Sequence, residues 1–436
     1  MNFLVVGSGA REHIIAKKLK DSGARVYSIL TNQNPGLIDL SEKTFFVNSY
    51  LTSKSEIIDF SMVNDIECVV IGPEDPLAQG YADAFWNKGI SVVGPTRTLA
   101  QIETSKGYTR DLLNKYQIDA SPKYKRFKNL EGVEEYITHL SNEYVIKFDG
   151  LMGGKGVKVS GEHLNSLEEA IDYCKQIISN KGTFVIEEKL IGEEFSLMSF
   201  CDGKNLAHMP AIQDHKRAYE GDVGPNTGGM GCYSDVNHSL PFLRDSEIEE
   251  ARSINERVSS ALFQNTGDKY KGILYGGFMV TRDGVKLIEY NARFGDPEAM
   301  NLLTLLDDDF ASICYSIANN DINETNFLKE ASVCKYVVPE GYGSTPAKDA
   351  TLLVDDSHSN HSDLYYAAVN LDDNGKVTTT SSRAAAVVAT GKSISEAEEK
   401  CEQGLSSVKG NKLFIRHDIA KPALIKKRID HMETIR

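Results

Sequence analysis

The chain has 436 residues, 41% hydrophobic and 25% charged, a composition that excludes a disordered or fibrous chain and gives a folded one too long for a single hydrophobic core. Its 48 Lys and Arg against 62 Asp and Glu leave a formal net charge of −14, spread along the chain, which disfavours nonspecific attraction to nucleic acid or an anionic membrane. The seven cysteines (68, 174, 201, 232, 314, 334 and 401) are scattered, with no C-x-x-C pair, as expected of buried thiols in a reducing compartment rather than disulfides or a zinc site.

The first hundred residues alternate short apolar runs with helical patterns. Phe3–Val6, Arg25–Leu30, Cys68–Ile71 and Ile90–Val93 read as strands of a parallel α/β sheet. The opening strand lacks the charged start and apolar middle of a signal peptide, and no stretch approaches the length of a membrane span, so a cytoplasmic protein is expected. Gly7-Ser8-Gly9 follows the first strand, and Arg11 to Lys20 continues as a helix with Gly23 placed to end it.

From about Thr104 the pattern changes to an α+β module. A helix runs through Gln117, followed by strands at Tyr144–Phe148, Gly156–Ser160, Thr183–Glu188 and Phe195–Phe200, interrupted by a helix from Leu167 to Ser179. Gly221 to Gly231 reads as a long loop, functional or disordered; a helix through Ile248–Leu262 and strands Ile273–Thr281 and Val285–Tyr290 follow it. Beyond Ala331, the strands Val333–Val338, Tyr365–Val369 and Ala384–Ala389 and a helix near Ser395–Ser407 predict a smaller terminal domain. The expected boundaries are 1–103, 104–330 with a mobile part at about 120–190, and 331–436.

Three segments carry chemistry. A GSG turn between strand and helix can aim backbone N–H groups at an anion, but a dinucleotide is disfavoured: Glu12 stands where G-x-G-x-x-G has its third glycine, and Leu30-Thr31-Asn32 lacks the ribose-binding acid. Asp149-Gly150-Leu151-Met152-Gly153-Gly154-Lys155-Gly156 suits a loop closing over phosphates. It is no P-loop, since Gly156 stands where Ser or Thr would hold magnesium. In Glu289-Tyr290-Asn291, strand alternation puts residues 289 and 291 on one face, where two oxygens could hold Mg²⁺; an edge-strand acid beside a turn asparagine is the other reading. Arg293, Asp296 and Glu298 follow in a charged turn, with Asp296 suited to cap a helix and Pro297 to its first position.

Together with Gly72-Pro73-Glu74-Asp75-Pro76-Leu77, Ser105-Lys106, Gln213-Asp214-His215-Lys216-Arg217 and Gly224 to Gly231, these segments resemble the glycinamide ribonucleotide synthetases (phosphoribosylamine–glycine ligases) of the ATP-grasp superfamily, in the family's order over nearly the whole chain. Ala10 after the GSG turn and Met152-Gly153-Gly154 depart from the commoner pattern. The resemblance implies an N-terminal α/β domain, an ATP-grasp core with a mobile lid, and a C-terminal β-rich domain. It implies that Lys106, Lys147 and the loop residues Gly153, Gly154, Lys155 and Gly156 meet the phosphates of ATP. Glu187, Glu188 and Leu190 would meet adenine, and Glu194 the ribose. Glu289 and Asn291 would bind Mg²⁺ or Mn²⁺. Asp214, Lys216, Arg293 and Asp296, with Thr227, Gly228 and Gly229, would surround glycine and the reacting phosphates; Gly9 and Glu74 would face phosphoribosylamine.

The implied reaction activates the glycine carboxylate as glycyl phosphate, which the amine of phosphoribosylamine attacks, without a protein nucleophile. His13 and His215 are expected to position or pack rather than act as bases. Another ATP-grasp carboxylate–amine ligase, an NAD-dependent oxidoreductase and a catalytically silent nucleotide-binding protein are the rival readings.

Overall fold

A computed structural model of the chain describes residues 1–153, 156–355 and 361–436. Its N-terminal sheet is wholly parallel, with strands in the order Lys43–Phe46, Arg25–Leu30, Asn2–Val6, Cys68–Ile71 and Ser91–Val93. Strand order reverses about Asn2–Val6, so the crevice beyond its carboxyl end, at Gly7-Ser8-Gly9 and Gly72, is a topological switch point, the usual ligand site of such sheets.

The side chain of Glu12 fills this turn. A Cβ on Gly7 would lie 2.4 Å from Glu12 Cγ and one on Gly72 2.0 Å from Glu12 Oε1, so glycine at both positions makes room for a carboxylate. Glu12 Oε2 accepts the Gly9 N–H at 2.7 Å, and Arg11 Nε donates to Oε1 at 2.6 Å. The N–H expected to face an anion is therefore committed within the protein, and the space a dinucleotide pyrophosphate would use is occupied. Ala10 begins the helix Ala10–Asp21 without a positive φ, so its departure from glycine strains nothing.

Residues 124–188 form a module with its own hydrophobic cluster, including Phe127, Ile146, Phe184 and Ile186. Its antiparallel sheet runs Tyr124–Phe127, Phe184–Glu188, Tyr144–Phe148 and Val157–Val159, with helices Val133–His139 and Leu167–Ser179. A second antiparallel sheet runs Leu206–His208, Gly192–Asp202, Lys271–Thr281 and Gly284–Asn291 and packs against the helix Asp245–Thr266.

The last strand of that sheet is bulged: Gly277 pairs with Glu289 but Phe278 with Leu287, leaving Ile288 outside the ladder. A bulge frees a carbonyl and re-aims its neighbours. Here the Ile288 carbonyl accepts from Arg110 Nη2 at 2.8 Å and Lys147 Nζ at 3.1 Å, tying the helix Lys106–Lys115 and the 124–188 module to the core.

The strand Ala331–Pro339 lies between Ala385–Gly391 and Gly231–Ser234, and Gly231–Ser234 pairs in turn with Gln213–Asp214. One antiparallel sheet thus runs from the C-terminal region into the segment that carries Asp214. A further sheet orders Val369–Leu371, Val377–Thr379, Thr351–Val354 and Val408–Asn411, which makes the C-terminal region β-rich. No helix among the described residues is long and apolar enough to cross a membrane.

Candidate functional site

A narrow cleft lies between these sheets, lined among others by Glu194, Asp214, Lys216, Tyr275 and Glu289. Four of the sequence-predicted residues, from three separate segments, meet in it. Lys216 Nζ lies 2.9 Å from Glu194 Oε2. The lysine holds the Glu194 carboxyl below its ordinary value, and Glu194, with Glu289 and Asp214 behind it, raises Lys216.

Asp214 is the unusual member. Burial, then the neighbouring Glu298 carboxylate, push its carboxyl well up, and its Oδ1 has no hydrogen-bond partner. Glu298, also buried, accepts from the Tyr275 hydroxyl at 2.7 Å. An unsatisfied buried carboxylate oxygen costs stability unless something occupies its lone pair, as a bound ammonium would. Gly229, at φ +106, crosses directly over it: a Cβ there would lie 2.8 Å from Asp214 Oδ1 and 2.5 Å from Pro297 Cδ. Thr227 fastens this turn, its N–H and hydroxyl both donating to the Lys216 carbonyl, at 2.7 and 2.9 Å.

Glu289 and Asn291 lie two residues apart on the strand Gly284–Asn291, paired with Gly277 and Tyr275. Asn291 Oδ1 lies 3.5 Å from Arg293 Nη2, too far to be bound firmly. Both oxygens remain available to a hard cation.

Arg293 points toward the N-terminal domain, 3.0 Å from Glu103 and 3.4 Å from Glu74. Burial opposes its charge, but Glu103 and Glu74 outweigh burial and raise it; burial also opposes ionisation of Glu74, and there Arg293 prevails and lowers it. Glu103 is raised because burial dominates.

The helix Glu298–Leu305 has Pro297 at its N-cap position and no side-chain cap, so the capping expectation for Asp296 is corrected. Arg383 Nη2, at 2.8 Å, and the Tyr336 hydroxyl bond its carboxylate instead. Two donors from the C-terminal sheet outcompete a local turn.

Around the glycine loop, Asp149 Oδ1 accepts from Ser105 Oγ at 2.9 Å and from the Gly107 N–H at 3.1 Å, while Lys106 Nζ donates to the Gly150 carbonyl at 3.0 Å. The loop is thus anchored at a helix N-terminus; Gly154 and Lys155 lie outside the described residues. Lys147 Nζ sits 2.7 Å from Glu187, and burial, helped by Arg110, lowers it despite that partner. The Glu187 carboxylate turns inward to Arg110 and Lys147, away from the cleft, and its strand is paired on both sides. Glu188 accepts from the Lys123 N–H at 2.8 Å.

His13 Nδ1 accepts the Tyr366 N–H at 2.9 Å in a part-buried contact between N- and C-terminal regions, and burial of the imidazole takes its pKa to about 4. Burial takes His215 to about 3. Neither holds a proton near neutrality, in line with packing roles. Sequence reasoning missed Glu103, Arg110, Tyr336 and Arg383. A signal existed for Arg110, a charge on the buried face of an amphipathic helix; none existed for Arg383.

Three family models match: the N domain of phosphoribosylglycinamide synthetase over residues 1–103, its ATP-grasp (A) domain over 104–299 and its C domain over 332–422. The phosphoribosylamine–glycine ligase of Methanosarcina acetivorans is 44% identical over all of this chain and 98% of its own, and that of Methanosphaera stadtmanae 46% over all of both. A crystal structure of phosphoribosylamine–glycine ligase from Thermotoga maritima superposes with a TM-score of 0.82 at 26% identity, covering 96% of this chain and 100% of that one. The chain belongs to the phosphoribosylglycinamide synthetase family.

Proposed function

We propose that the chain ligates glycine to 5-phosphoribosylamine with conversion of ATP to ADP and phosphate, giving glycinamide ribonucleotide for purine biosynthesis. The observation that carries this reading is the gathering in one cleft of Glu194, Asp214, Lys216 and Glu289, from segments that match the family across the full chain. As an ATP-grasp ligase it uses ATP and a divalent metal.

A carboxylate resists attack because its charge is delocalised and oxide is a poor leaving group. ATP phosphorylates it, and the amine then displaces phosphate from the acyl phosphate. The protein's part is positional and electrostatic. Lys106, Lys147 and Lys216 offset phosphate charge, and the 124–188 module, with Gly153 and Gly156 in its loop, acts as a lid against water. The backbone at Glu187, with Glu188 and Leu190, meets adenine, and Glu194 meets the ribose.

Glu289 and Asn291 fit a hard cation, Mg²⁺ or Mn²⁺, because both offer oxygen from one strand face. Such an ion would neutralise charge on the migrating phosphoryl group.

Asp214, with its unpartnered oxygen beneath Thr227-Gly228-Gly229, takes the glycine ammonium, and Arg293 and Asp296 orient the acyl group. Gly9 and Glu74 face phosphoribosylamine across the switch-point crevice. The partners are small molecules; nothing in the charge pattern favours nucleic acid or membrane.

ADP release by purified protein with Mg·ATP, glycine and fresh phosphoribosylamine, each omitted in turn, tests the reading. Release that needs all three, with the amide formed, supports it. Release only with another acid or amine would leave the ATP-grasp chemistry and overturn the substrates.

A further inference from the structure

Arg383 stands just before the strand Ala385–Gly391 and reaches from the C-terminal sheet to two turns of the cleft. Its guanidinium lies over the Tyr336 ring, 4.4 Å from the centroid. Nη1 donates to the carbonyls of Gly228 at 2.6 Å, Asp296 at 2.8 Å and Gly229 at 3.1 Å, while Nη2 donates to Asp296 Oδ2 at 2.8 Å. The Tyr336 hydroxyl donates to the other Asp296 oxygen. The Arg383 and Asp296 side chains are only 12% and 15% exposed, so this is a built contact and not a surface pair.

One planar cation therefore clips the 228–229 turn to the Asp296 turn. Neither has slack. Gly229 is wedged between Asp214 and Pro297, and Thr227 next to it holds the Lys216 carbonyl, so displacement of the turn would reach Asp214 and Lys216 directly. On its other side, Asp296 Oδ2 lies 3.8 Å from where a Gly9 Cβ would be, at the crevice of the N-terminal domain. The contact thus joins the amino-acid side of the cleft to the side facing the amine.

We infer that Arg383 is a positioning residue for the ligation: a guanidinium supplied by the C-terminal domain that sets the Asp296 carboxylate and the 227–229 turn against the two small substrates. This rests on the reading of glycine and phosphoribosylamine as those substrates. A fork of several donors in one plane is required, so lysine, a point charge on a flexible stem, cannot take its place.

The test uses the full chain carrying Arg383→Ala, Arg383→Lys or Tyr336→Phe beside wild type, with melting temperature and the Kd of Mg·ATP measured directly. For Arg383→Ala, kcat/KM for glycine and for phosphoribosylamine should fall about 10- to 100-fold, as for loss of a charged hydrogen bond, with the Kd of Mg·ATP within about twofold. Arg383→Lys should recover little of the loss, and added guanidinium ion should restore part of the Ala variant's activity. Unchanged kcat/KM would overturn the inference, and so would equal losses in ATP affinity and melting temperature, the mark of a merely structural group. Should Arg383→Ala not fold, Tyr336→Phe decides: a loss of about 3- to 10-fold, confined to the two small substrates, supports the assignment, and no loss overturns it. If wild type turns over only with another acid or amine, the substrate reading fails and the same comparison is read with that pair.

Discussion

Arg110 grips Glu187 at two points, Nε 2.7 Å from one carboxylate oxygen and Nη2 3.0 Å from the other, with the two side chains 2% and 3% exposed. The pair joins the helix Lys106–Lys115 to the strand Phe184–Glu188, where the 124–188 module meets the core. Burial works against the Glu187 charge, but Arg110 and then Lys147 prevail and bring its pKa to about 2.

Glu187→Gln should therefore cost roughly 3–5 kcal/mol at pH 7, the usual loss when one partner of a buried pair is removed. The sign with pH follows from the depressed value. Glu187 contributes its full stability above its ordinary 4.5 and loses it as pH falls toward 2. Urea denaturation at pH 7 and pH 3.5 should show the gap between wild type and variant narrowing at the lower pH. A gap that stays constant would remove Glu187 from this role.

Asp214→Asn should act the other way. A raised acid is a burden once ionised: the cost is absent below pH 3.8 and grows as pH rises above it. The amide keeps the shape and relieves repulsion with Glu298, so the variant should melt higher than wild type at pH 8 and alike near pH 3.5. Activity should fall sharply if Asp214 holds the glycine ammonium, with KM for glycine rising. A variant that melts lower at pH 8 would contradict the charge argument; an unchanged KM would contradict the ammonium role.

Where local chemistry fixes an element, the sequence was legible. Arg25–Leu30, Cys68–Ile71, Tyr144–Phe148 and Leu167–Ser179 have the bounds that periodicity predicts, because a strand buried on both faces or an amphipathic helix writes its own pattern. Lys43–Phe46 was missed: it is an edge strand held chiefly by its neighbour Arg25–Leu30. Gly221 to Gly231 is not one open loop, since Val223–Asn226 pairs with Arg217–Tyr219 despite Pro225, and the expected strand Tyr365–Val369 divides into Asp363–Tyr366 and Val369–Leu371. In the cleft, contiguous motifs such as Glu289 to Asp296 were visible, whereas their supports were not. Arg383 bonds Asp296 across 87 residues and Arg110 bonds Glu187 across 77, and no short pattern encodes such pairs.

Arg293 offers a way to separate stability from function. Arg293→Met leaves the buried Glu103 and the half-buried Glu74 without their cation and should cost roughly 3–5 kcal/mol. Adding Glu103→Gln removes the worse-placed charge and should restore much of the melting temperature. Turnover should stay low in both variants, while ATP binding by the folded protein persists. Recovery of turnover together with stability in the double variant would make Arg293 structural only.

Glu289→Ala addresses the proposed metal site. The side chain lines the cleft, and its strand is fixed by the whole ladder from Gly284 to Asn291, so the fold should survive the substitution. A cation held by one carboxylate and one amide oxygen beside phosphates depends heavily on the carboxylate, the only charged ligand from the chain. Turnover should accordingly vanish at ordinary Mg²⁺ concentrations. The sharper readout is binding. In wild type, added Mg²⁺ or Mn²⁺ should tighten nucleotide binding, and in Glu289→Ala that metal-dependent gain should disappear while metal-free nucleotide affinity is kept, because the residues proposed to hold the nucleotide, Glu194, Lys147 and the 187–190 segment, are untouched. Near-normal activity with an ordinary magnesium requirement would place the cation elsewhere in the cleft, and equal loss of metal-free binding would mean that Glu289 supports the cleft walls rather than an ion.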